Sequence, residues 1–133
     1  MSRVKLEKEW LAAELRPEYE VAVDRALQER GMSTTRTERG LEIRGGSQMK
    51  MRALGGWLSR DSLLPRAGTL ERTPAPHAGG LERISLHLED GMGIAVMDHV
   101  MRKKYERILA DVAVSVEGAL RAHTTELTLA PAD

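Results

Sequence analysis

The stretch from Met92 to Ala122 limits what this chain can fold into more than any other. Met97, Val100, Met101, Tyr105, Ile108, Leu109, Val112, Val116 and Leu120 recur at three- and four-residue intervals, and Arg102, Lys103, Glu106, Arg107, Glu117 and Arg121 occupy the other side. That spacing predicts a long amphipathic helix, with Asp98 able to cap its first turn. An apolar stripe of this length needs a broad apolar partner, and the short alternating segments before it are the surface available.

Those segments read as follows. Val4, Leu6, Lys8 and Trp10 alternate with Lys5, Glu7 and Glu9, the pattern of a half-buried strand, although a helix can also be drawn through Leu6 to Leu15. Arg16-Pro17-Glu18 opens a helix, with proline favoured at its first position and Glu18, Glu20 and Asp24 near its positive end; Gly31 stops it. From Met32 the period changes to two. Ser33 to Thr37 is rich in β-branched residues, and Arg39-Gly40 turns the chain into Leu41 to Arg44. At Gly45-Gly46 the register can be tested. A two-residue turn pairs Ile43 with Gln48 and Leu41 with Lys50, mixing apolar with polar and charged groups, and is rejected. A three-residue loop pairs Ile43 with Met49 and Leu41 with Met51, and a single strand kinked at the glycines keeps the same apolar set. A strand is expected near Ala67 to Thr73, a turn at Pro74 to Gly80, and the clearest strand where Ile84, Leu86 and Leu88 alternate with Arg83, Ser85, His87 and Glu89.

The expectation is therefore an α+β domain spanning residues 4–122. It has an antiparallel sheet of about five to six strands, with an N-terminal helix and a long C-terminal helix packed on one face. Residues 123–133 read as a tail with a short extended piece at Leu127 to Leu129. At 133 residues, 41% apolar and 30% charged, the chain is long enough for one core. Twenty basic and twenty acidic side chains cancel, so no global field draws in nucleic acid or an anionic membrane. Cysteine is absent, which excludes disulfides, thiolate nucleophiles and cysteine metal sites. The charged start and the lack of an apolar run of membrane-spanning length make a cytoplasmic protein the default.

This element order, with a proline-opened helix after the first strand and a long helix at the end, resembles the START-like helix-grip superfamily over roughly Val4 to Ala122. Polyketide cyclase-like and pollen-allergen-like proteins belong to it. The resemblance implies a curved sheet gripping the last helix around an apolar cavity for lipids, steroids or polyketides. The chain is shorter than that pattern, lacking a second small helix and a strand pair.

Seven methionines and no phenylalanine read either as core filler in place of phenylalanine or as a pliable cavity wall, because methionine repacks easily around varied apolar shapes. The expected ligand site between sheet and helix comprises Met49, Met51, Arg52, Trp57, Leu86, Met97, Met101 and Tyr105, with Arg52 or Tyr105 as polar handle. The apolar loop Gly55 to Pro65 is a candidate portal, or else a cover for the core end or a subunit contact. A homodimer formed through sheet edges or that loop is the second reading. A cyclase- or isomerase-like enzyme using Asp61, Glu42 or Tyr105 in the same pocket is the third.

No catalytic set, metal or cofactor is expected. His87, Glu89, Asp90 and His99 lie close in sequence, but His87 and Glu89 fall on the face opposite Ile84, Leu86 and Leu88 and should meet solvent. His77 and His123 read as solvated, and no serine has the Gly-x-Ser-x-Gly context. Residues 31–66 carry seven basic side chains (Arg36, Arg39, Arg44, Lys50, Arg52, Arg60, Arg66) against Glu38, Glu42 and Asp61, but without aromatics for base stacking. No nucleic-acid partner is expected.

Overall fold

A computed structural model of the chain describes residues 4–45, 66–74, 81–90 and 99–130. The elements run β1 (Lys5–Ala13), α1 (Tyr19–Gln28), β2 (Met32–Arg36), β3 (Gly40–Gly45), β4 (Arg66–Pro74), β5 (Glu82–Asp90), α2 (His99–Arg121) and β6 (Glu126–Leu129). All six strands form one open antiparallel sheet in the order β2-β3-β4-β5-β1-β6, and both helices cover one of its faces. The α+β architecture expected from periodicity is the one observed.

Alternation in β1 and β5 builds the core. Leu6 faces Leu88 and Trp10 faces Ile84 across the ladder, and these apolar pairs turn towards the helices. From α2, Met101, Tyr105, Ile108, Leu109, Val112, Ala113, Val116 and Leu120 are all buried against them. Trp10 is fully enclosed, and its indole N–H donates to Glu117 on α2 at 2.8 Å, which satisfies a donor that burial would otherwise strand. In α1 the buried residues are Tyr19, Val23 and Leu27, one side of the helix. Gly31, at φ 75°, takes the left-handed conformation that closes α1 and turns it into β2, as the sequence predicts.

Of the two readings left open at Gly45-Gly46, the neighbours of β3 exclude the hairpin, and the kinked strand falls on residues outside those described. Leu41 lies between Arg36 of β2 and Leu70 of β4, and Ile43 between Thr34 and Gly68. Both edges of β3 are thus occupied, so the pairing of Ile43 with Met49 and of Leu41 with Met51 is not formed. The partner is a strand more distant in sequence, which sets Leu70 opposite Leu41 on the buried face and Gly68 opposite Ile43. Gly40 lets the two strands close up: a Cβ there would overlap the Leu70 carbonyl oxygen.

The short extended piece expected at Leu127 to Leu129 is a strand covering residues 126–129. They are β6, which pairs with β1 from Trp10↔Leu129 to Ala13↔Glu126. His123 is also not solvated as expected. It sits in the turn between α2 and β6, where its carbonyl accepts the Arg16 N–H at 2.8 Å and its Nδ1 is buried.

Candidate functional site

The alternation of β5 does not stop at its last apolar residue. Ile84, Leu86 and Leu88 are followed in phase by Asp90, which is therefore carried onto the buried face at 2% exposure. On β4, Arg66 is in phase with Gly68 and Leu70 and is 4% exposed; Arg66 and Asp90 are direct partners in the ladder. Two opposite charges thus stand side by side on the covered face at one end of the sheet. Asp90 Oδ2 accepts the Val4 N–H at 2.7 Å, and its own N–H donates to the Val4 carbonyl at 3.0 Å. Arg66 Nη2 donates at 3.0 Å to the carbonyl of Arg30, just beyond the last turn of α1 where helix carbonyls lack partners.

Tyr105 joins this pair from α2. It is fully buried; burial pushes its phenol well above the ordinary tyrosine range, the Asp90 carboxylate adds to the shift, and Arg66 partly offsets it. The phenol is therefore a protonated donor at every physiological pH. Met101, one turn earlier on the same side of α2, is 5% exposed, and Leu86 on the inner face of the sheet is 1% exposed. Of the expected ligand-site residues, then, Leu86, Met101 and Tyr105 lie in the buried sheet–helix layer. Met49, Met51, Arg52, Trp57 and Met97 lie outside the described residues, as do Asp61, His77, Asp98 and the Gly55 to Pro65 loop. Arg66 and Asp90 were not anticipated from sequence. The signal was present, since both continue a period-two phase set by their apolar neighbours.

The other end of the sheet carries a second charged group. Arg72 forms a bidentate pair with Glu82, its Nη2 reaching a Glu82 oxygen at 2.6 Å, and its guanidinium lies 5.6 Å from the centre of the Tyr19 ring. The Arg72 and Glu82 side chains are about one-third exposed, whereas the Arg66–Asp90–Tyr105 group is enclosed. Burial raises the Tyr19 phenol, and the Glu82 hydrogen bond holds the Arg72 guanidinium more firmly protonated.

The uncovered face of the sheet is polar. Its row Glu7–His87–Thr69–Glu42 runs across four strands, and His87 has Glu7 Oε1 at 3.1 Å from Nδ1 and Glu89 Oε2 at 3.5 Å from Nε2. Two adjoining open hollows of about 560 and 330 Å³ lie here, sharing Thr69, Glu71 and His87. Arg44 pairs with Glu42 at 2.8 Å, Arg83 with Glu9 at 2.7 Å and Arg39 with Glu71 at 3.9 Å, so these three arginines are matched to carboxylates. The sequence cluster His87, Glu89, Asp90 and His99 is dispersed: Asp90 is on the opposite face and His99 is exposed on α2. No group of three or more His, Asp or Glu side chains able to hold a metal occurs among the described residues. None of the helices among those residues is long and apolar enough to cross a membrane. No family model, curated protein or solved structure matches this chain.

Proposed function

We propose that this chain is a small binding domain that holds an apolar or amphipathic small molecule between the sheet and α2, with Tyr105 as its polar handle. One observation carries the reading: a fully buried phenol lies beside an opposed Arg66–Asp90 pair at one end of an otherwise apolar interface. Buried opposite charges stabilise a core no better than apolar side chains of the same volume, which makes Arg66 and Asp90 candidates for another use. Small-molecule sites have this composition, an apolar lining with a few convergent polar groups. Leu86 and Met101 supply apolar wall, and methionine adapts to ligands of different shape.

The test is a titration with fatty acids, steroids and polyketides, read by the methyl resonances of labelled methionines and by tryptophan fluorescence. The Met101 methyl should shift with at least one class. Tyr105→Phe should then weaken binding roughly 5- to 10-fold, the worth of one hydrogen bond in a dry site. A Met101 signal unmoved across the whole panel, in a protein that remains folded, ends the proposal.

A further inference from the structure

The two edges of the sheet are finished differently. On β2, the Thr34 hydroxyl donates to Asp24 of α1 at 2.7 Å and Arg36 pairs with Glu20 of α1 at 3.3 Å, so a helix guards that edge. On β6, the Ala130 N–H donates to the Glu9 carbonyl at 2.9 Å, which fixes the phase of the ladder: Glu126 and Thr128 point their backbone groups at β1, and Leu127 and Leu129 point theirs away. The bonding of β1 agrees, since Asp90 N–H to Val4 carbonyl commits its even-numbered residues to β5 and leaves the odd ones for β6. Among the described residues no acceptor meets the outward N–H groups of Leu127 and Leu129. Leu129 has the phase of buried Trp10, yet it is 61% exposed, unlike the other large apolar side chains on the covered face.

We propose that this edge pairs with the β6 of a second copy of the chain, antiparallel about a twofold axis through Thr128. The occupant follows from self-complementarity. In that register Leu127 lies opposite Leu129 of the second copy and the reverse, each pair exchanging two backbone hydrogen bonds. Exposed Leu129 gains an apolar neighbour on the covered face, Thr128 meets Thr128 on the open face, and Glu126 meets Ala130, so no like charges oppose. The strand has neither lysine nor proline to discourage such pairing. Among the described residues its guard is Arg121, which donates to the Leu127 carbonyl at 3.3 Å; that side chain is 56% exposed and has Glu117 at 3.7 Å as an alternative partner. The interface is independent of the ligand reading.

Sedimentation of the full chain should show a concentration-dependent monomer–dimer equilibrium. Leu129→Pro removes an outward donor and the exposed leucine side chain, breaks no bond of the β1–β6 ladder, and should leave a monomer. Because the chain has no cysteine, Thr128→Cys and Glu126→Cys each introduce a unique thiol. Residues facing each other across the axis stand about 4.5 Å apart at Cα, within disulfide reach. Thr128→Cys should therefore oxidise to a covalent dimer and Glu126→Cys should not, a readout that stands even where the proline variant unfolds. A wild-type chain that stays monomeric at all concentrations, a folded Leu129→Pro that still dimerises, or equal cross-linking by both thiols overturns the proposal.

Discussion

Tyr105 links the buried cluster to a measurable pH dependence. Its phenol is held above the tyrosine value of the unfolded chain, so the native state retains a proton that the unfolded state gives up first. Stability from this group is complete below about pH 10 and falls as pH rises beyond it, by up to about 1.4 kcal/mol per pH unit. Tyr19 is shifted in the same direction, with burial again the leading cause, so part of the alkaline loss belongs to it. Thermal unfolding of Tyr105→Phe should therefore show a shallower alkaline fall than the wild type; parallel curves would mean that Tyr105 is not the group responsible. A second residue-scale expectation concerns Trp10. Glu117→Ala leaves its enclosed indole N–H without an acceptor and should destabilise the fold by about 1–3 kcal/mol in urea titration, with Glu117→Gln losing less.

At the scale of elements, two glycines make opposite predictions. Gly118 lies inside α2 with nothing within 4 Å of where a Cβ would stand, so Gly118→Ala should stabilise the chain by about 0.5–1 kcal/mol. Gly40→Ala forces β3 and β4 apart at Leu70 and should destabilise by about 1–3 kcal/mol. Equal effects of the two in chemical denaturation would contradict this account of the β3–β4 contact. The elements differ in how far sequence disclosed them. The stripe of α2 and the alternation of β1 and β5 are long enough for period alone to identify them, and Pro17 and Gly31 bracket α1 chemically. β6 has four residues, too few to display a period, and it is a strand because β1 has a second edge to fill. The partner of β3 could not be read locally either, since β4 lies more than twenty residues further along the chain. Arg66 and Asp90 were legible in phase but concealed by their charge, which ordinarily marks where a buried face ends.

For the whole molecule, β6 closes a flank of the sheet whose removal can be tested. Truncation before Glu126 strips Leu127 from the core and exposes the Glu9 and Leu11 backbone groups of β1, while Thr124 and Thr125 still donate to the Ala13 carbonyl. The shortened chain should lose about 2 kcal/mol of stability and aggregate on warming, as an uncovered edge predicts. A truncated chain as stable and as free of aggregation as the parent would show that β6 adds nothing to the sheet. The strand order also has a consequence in time. β1 is the first strand synthesised, yet its neighbours β5 and β6 are the last two, so Trp10 waits for Ile84 on one side and Leu129 on the other. Until β5 and β6 have been synthesised β1 has neither neighbour, so its pairing is a late, long-range step of folding.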